Sequence, residues 1–226
     1  LCDDFFMDPS PGLRERKKLE TRHRLGDVAA RLFGEHGYDA VSVSDVARAA
    51  NVSEQTVYNY FPTKPELVLD RADEILERSR RLVAERTPTE TPADVLRNLV
   101  HDDIDRFRAA DPALARGEFP AQCLKSDMLR RFALEFRSDQ AEAIALAIAQ
   151  TDPGIPRLVA GAHAAALIAI VHDITDRVGA AILSEADRDA AAGEMRHDAD
   201  AAFADAAENF RATAARATAN RAAEPA

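Results

Sequence analysis

Residues 44–61, "SDVARAANVSEQTVYNYF", decide the fold: two short helical segments meet at a turn of three or four residues, the spacing of a helix-turn-helix. Ser44 is expected to cap the first segment, DVARAA, whose Asp45 suits the positive end of a helix dipole. Asn51 tolerates the positive φ of a sharp turn, and Ser53 caps a second helix from Glu54 to about Phe61, which Pro62 stops. At about 100° per residue, Val57, Phe61 and Ser53 fall on one side with Tyr60 at its margin. Gln55 and Asn59 project the opposite way, flanked by Thr56 and Tyr58, while Glu54 falls towards the buried side. So short a helix must pack on its predecessor through Val46, Ala47, Ala50 and Val52, which leaves its outer face free. Gln and Asn can pair bidentately with adenine, whereas Thr and Tyr hydroxyls and a Lys ammonium suit phosphate oxygens, so this face has major-groove chemistry. By periodicity alone it reads equally as the solvated side of a helical hairpin.

Upstream, Leu25, Val28, Ala29, Leu32 and Phe33 recur at helical spacing within 13–36, and Gly37 can take the left-handed cap conformation. The first turns are basic, with Arg14, Arg16, Lys17, Lys18, Arg22 and Arg24 against Glu15 and Glu20, in a chain whose net charge is −10. That balance excludes indiscriminate coating of nucleic acid while leaving local positive surface. Downstream, Thr63 to Glu66 matches a capping box opening a helix to about Arg86, and "TPTETP" at 87–92 reads as a linker. Further helices are expected at about 93–110, 126–150, 155–183 and 185–220, with an irregular stretch at 111–122. With aromatics at 6%, no tryptophan and no strand-like alternation, the chain reads as all-α. Residues 1–11 are expected to be disordered and 211–226 to form a low-complexity tail.

Cys2 and Cys123 have neither disulfide nor metal spacing, which fits a reducing cytoplasm, and no spacing implies a cofactor. The longest apolar run, "AAALIAIV" at 164–171, is too short to cross a bilayer, and the N-terminus lacks an apolar signal core, so no membrane association is expected.

The run "RLFGEHGYDAVSVSDVARAANVSEQTVYNYFPTKPELV", 31–68, resembles the DNA-binding domain of TetR-type transcriptional regulators through "LF..HGY", "S.SDVA..A.VS..TVY.YF" and "F..K..L". It departs at Asn51, where that family usually has glycine. The resemblance implies a helix-turn-helix domain at 12–65 and a helical ligand-binding and dimerisation domain at 66–210. Ser42, Ser44, Thr56, Tyr58, Tyr60 and Lys64 would then contact the DNA backbone, with Glu54, Gln55 and Asn59 nearest the base edges. It further implies a homodimer, joined through 155–183 and 185–210, acting as a repressor on double-stranded, palindromic operator DNA. A small, hydrophobic effector would release it. Candidates to line the effector pocket are Ile104, Phe107, Phe119, Cys123, Phe132, Phe136, His163, Leu167 and His172, which serve equally as ordinary core.

Two other classes compete. The pairs His101-Asp102, His172-Asp173 and His197-Asp198 invite comparison with helical HD-type metal phosphohydrolases, yet no phosphate loop, metal-like cluster or nucleophile elbow accompanies them, and no enzyme is expected. A scaffold without DNA binding would have no use for Gln55, Thr56, Tyr58, Asn59 and Lys64 on the outer face.

Overall fold

The computed structural model describes residues 13–69 and 72–223, so residues 1–11 lie outside the described residues. In chain order the helices are α1 (Leu13–His36), α2 (Val43–Ala49), α3 (Glu54–Tyr60), α4 (Ala72–Ala84), α5 (Pro92–Ala109), α6 (Pro112–Ala115), α7 (Phe119–Cys123), α8 (Asp127–Thr151), α9 (Arg157–Ser184) and α10 (Arg188–Ala223). A 3-10 turn occupies Pro65–Leu67. Among the described residues every regular element is helical, as expected of an all-α chain.

The apolar stripe of α1 buries Leu25, Ala29 and Phe33, and the helix ends where Gly37 takes φ 83°. Ser42, not Ser44, caps α2. Its hydroxyl accepts from the Asp45 N–H at 3.1 Å while Asp45 accepts from the Ser42 N–H at 2.9 Å. This reciprocal box requires the acidic residue three positions after the cap; from Ser44 the same aspartate would follow immediately and could not reach back. Asn51 adopts φ 55°, and Ser53 caps α3 through the Thr56 N–H at 3.1 Å.

The continuous fourth helix expected from Thr63 does not form. The Thr63 hydroxyl bonds the Glu66 carboxylate at 2.8 Å instead of accepting a backbone N–H, the segment tightens into the 3-10 turn, and α4 starts at Ala72. The expected linker at 87–92 is an ordered corner. Glu90 accepts from both the N–H and the hydroxyl of Thr87, Arg86 donates to the Val83 and Glu90 carbonyls, and Thr91 caps α5 in a box with Asp94. Within the stretch expected to be irregular, 111–122, Asp111 caps α6 and the first turn of α7 forms. Residues 211–223, low in complexity and expected to be helical to about 220, continue α10 to Ala223.

Two apolar cores result. One combines α1 to α3 and Leu67, Val68 and Leu69 with Phe119, Cys123, Leu129, Ala133 and Phe136; the other joins the end of α4, α5, the second half of α8, α9 and α10. Division of the chain at 65/66 falls inside the 3-10 turn and cuts through the first core, because Leu67, Val68, Leu69, Phe119, Cys123 and the first half of α8 pack with the N-terminal helices.

α9 differs from the expectation drawn from its short apolar run. The whole helix is long and apolar enough by length and composition to cross a membrane, with an 18-residue window of mean hydropathy 1.6. It is nevertheless a core helix on one side, burying Ala160, Ala164, Leu167, Ile168 and Ile174, while only 39% of that window is buried.

Candidate nucleic-acid interface

Val57 and Phe61 anchor α3 in the first core, so the helix turns a polar surface outward. Gln55, Asn59 and Tyr58 are exposed, and Gln55 Nε2 donates to Asn59 Oδ1 at 3.1 Å, one turn away. The two side chains expected to read bases therefore lie together with a fixed mutual orientation. Glu54, expected towards the buried side, is exposed in the first turn, as is the capping Ser53, because the chain enters the helix from solvent. Thr56 is half-buried with its hydroxyl 2.8 Å from that of Ser53. Ser42 is exposed at the start of α2, Ser44 half-buried within it, and Tyr60 half-buried at the end of α3.

Lys64 lies with Nζ 4.1 Å from the centroid of the Tyr38 ring, a cation-π contact that ties the turn after α3 to the chain leaving α1. Partial burial lowers its pKa, opposed by the nearby Asp39 carboxylate. Asp45 is held below the usual carboxylate range by its hydrogen bonds from Ser42.

Sequence reasoning left Arg22 without a role. Its guanidinium lies 4.4 Å from the Phe61 ring centroid and donates to the Tyr60 carbonyl, bracing the negative end of α3 against α1. The signal was present: Arg22 precedes Leu25 and Ala29 on the buried stripe, an arginine where an apolar residue would otherwise stand. Arg14, Arg16, Lys17, Lys18 and Arg24 are exposed along the same end of α1.

The pocket candidates are not gathered around one cavity. Ile104, Phe107 and Leu167 pack in the second core; Phe119, Cys123 and Phe136, with Phe132 at the edge, pack in the first. His163 meets Thr213 Oγ1 at 3.2 Å and stacks edge-on against Phe210, and its pKa is lowered by burial and then by Arg216. Burial pushes the Cys123 thiol up, which suits packing rather than reaction. Surface concavities of about 580 Å³ beside Arg16, His23 and Arg24, and about 540 Å³ beside Arg78, Asp102 and Arg106, include none of the nine candidates. The His-Asp pairs also separate: Asp102 engages Arg78, Asp198 engages Arg177, and no group of three or more metal-ligating side chains converges among the described residues.

His172 sits between the two cores, edge-on to Phe136, with Nε2 2.6 Å from Gln140 Oε1. Nε2 therefore carries the proton, and the buried Nδ1 lone pair has no partner. Burial, with Arg137 adding to it, lowers the pKa from 6.5 to about 3. Between these values the unfolded chain binds a proton that the folded chain refuses. Stability contributed by this group is thus complete above pH 6.5 and declines on acidification towards about 3, by up to roughly 1.4 kcal/mol per pH unit. Urea unfolding at about pH 7 and about pH 5 should show this slope, and His172→Gln should reduce it; an unaltered slope assigns it to other groups.

Comparison with known proteins bears on this site. The family model of "Bacterial regulatory proteins, tetR family" matches residues 25–70, the segment that holds α2, α3 and Lys64. The regulator CymR of Pseudomonas putida is 31% identical over 105 residues, covering 45% of this chain and 50% of that protein. The repressor KstR2 of Rhodococcus jostii is 29% identical over 108 residues, covering 46% and 53%. The chain thus spans about half the length of these relatives. Among solved structures, NalD, the secondary repressor of the MexAB-OprM efflux pump in Pseudomonas aeruginosa, superposes with a TM-score of 0.55 at 18% identity, covering 82% of this chain and 96% of that one. At that identity the likeness is one of fold.

Proposed function

We propose that the chain, whose residues 25–70 match the model of the tetR family of bacterial regulatory proteins, is a DNA-binding transcriptional regulator, a homodimeric repressor of a palindromic operator that a small hydrophobic effector releases in the cytoplasm. The observation that carries the reading is the outer face of α3, where exposed Gln55 and Asn59 are hydrogen-bonded to one another and Tyr58 is exposed on the same helix. Side-chain amides suit base edges, and the hydroxyls of Tyr58 and Ser42 suit phosphates. The basic first turns of α1 add positive charge at this end of an otherwise acidic chain.

The uncovered side of α9 supports the homodimer. Leu158, 85% exposed, leads a row of exposed Ala162, Ala165, Ala166 and Ala169, small residues that allow a second helix to approach closely. A dimer reading a palindrome requires its α3 helices about 34–36 Å apart or at a multiple of that spacing. An effector that favours another spacing weakens DNA binding by its differential affinity for the two shapes. The unpartnered Nδ1 of His172 supports an effector that can hydrogen-bond.

Selection of the full chain against random duplexes at two salt concentrations tests the proposal. Enrichment of one palindrome upholds it, and failure of a folded dimer to enrich any sequence overturns it in favour of a scaffold. Tyr58→Phe is expected to weaken binding to every sequence alike, by roughly 0.5–1.5 kcal/mol for one lost phosphate contact. Competition assays on operator and unrelated duplexes check this; a loss confined to particular base pairs would make Tyr58 a base reader.

A further inference from the structure

Gln122, on the short α7, is 1% exposed, and its amide bonds across the seam between α7 and α1. Its Oε1 accepts from the Tyr38 N–H at 3.0 Å, while Nε2 donates to the Phe33 carbonyl at 3.1 Å and the Arg116 carbonyl at 2.6 Å. Phe33 and Tyr38 flank Gly37, so one side chain grips the end of α1 on both sides of its terminus. Four residues later, the Ser126 hydroxyl donates to Asp39 at 2.9 Å.

The neighbouring backbones leave no slack. A Cβ on Gly117 would lie 1.5 Å from the Ala30 carbonyl oxygen, and one on Gly179 would lie 2.1 Å from that of Pro120. The α6–α7 segment is thus pressed against α1 on one side and α9 on the other. The covalent connection runs separately, through the 3-10 turn at Pro65–Leu67 to α4, which packs along α8.

We propose that Gln122 is a positioning residue that sets the angle at which the DNA-reading helices are carried, by holding the end of α1 to α7 alongside the covalent connection through α4. This rests on the DNA-binding reading above. Tyr38 extends the path. Its backbone is held by Gln122, its hydroxyl donates to Met128 Sδ at 3.6 Å, and its ring lies beneath the Lys64 ammonium.

Gln122→Met retains the bulk of the side chain and removes all three hydrogen bonds. On a duplex carrying one half-site it should match the parent within about twofold, since no base or phosphate contact changes. On palindromes with zero, one or two base pairs inserted between half-sites, the parent's preference for one separation should fall by about tenfold. A preference that survives overturns the proposal. Val83→Ala, which hollows the other core at the end of α4, should keep more of the preference than Gln122→Met; if it alone loses the preference, Gln122 does not set the angle and the proposal fails. Should Gln122→Met not fold, Ser126→Ala is to shift the preference in the same direction by a smaller factor, and no shift counts against the proposal. If the parent binds no duplex, the functional reading falls separately. Calorimetry then decides the bracket: two resolved transitions in Gln122→Met where the parent has one sustain it, and an unchanged single transition overturns it.

Discussion

Asn59→Ala will cost roughly 1–3 kcal/mol at one or two base pairs of the operator while leaving affinity for unrelated duplexes nearly unchanged. The asymmetry follows from what the side chain can do. Asn59 is exposed, contributes nothing to the apolar core, and accepts from Gln55 at 3.1 Å, which holds both amides in one orientation. Its loss removes one of the two proposed readers and frees the other amide, so Gln55→Ala and Asn59→Ala should be non-additive in a double-mutant cycle. Competition binding across single-base variants of the selected operator measures this. Equal losses on every sequence would show that neither amide reads a base.

Arg86→Met should destabilise the fold by roughly 3–5 kcal/mol, the scale expected when one partner of a buried ion pair is deleted. The Arg86 side chain is 6% exposed and pairs with the Asp152 carboxylate, itself 22% exposed. The same guanidinium donates to the Val83 carbonyl, to the Glu90 carbonyl at 3.2 Å and to Thr151 Oγ1 at 2.8 Å, and lies 5.8 Å from the centre of the Phe210 ring. Methionine fills the space but leaves the Asp152 carboxylate without its cation and takes a donor from two carbonyls. Urea unfolding at fixed protein concentration is the check. A cost below about 1 kcal/mol would mean that water screens the pair as it does at a surface.

Both expectations concern features of unequal visibility in the sequence. The helix-turn-helix was legible because local rules determine it: caps three residues from their partners, a residue tolerant of positive φ at 51, and a polar face opposite Val57 and Phe61. The main error within it, Ser44 for Ser42 as the cap, came from ignoring the reach-back of Asp45, which is also local. The long C-terminal helices, α10 through its low-complexity alanines included, were legible to within about three residues from periodicity. Long-range partners left no local signal. Arg86 and Asp152 lie in parts of the chain that nothing nearby connects, Gln122 stood in a stretch read as irregular, and the apolar positions suggested for a pocket divide between two cores. Hydrophobic spacing identifies which residues are buried, without stating which core receives them.

The first core has a consequence for how such chains recombine. A crossover placed after Leu69, where secondary structure invites it, would give α1 to α3 a foreign α7 and strip from them Phe119, Cys123, Leu129, Ala133 and Phe136. It would also set an unrelated residue at 117 against Ala30, where even a methyl group collides with the backbone. A working chimera would have to inherit 117–136 together with 13–69, so the fold that carries the α3 face is transmitted as two distant stretches of coding sequence and resists exchange as a single cassette.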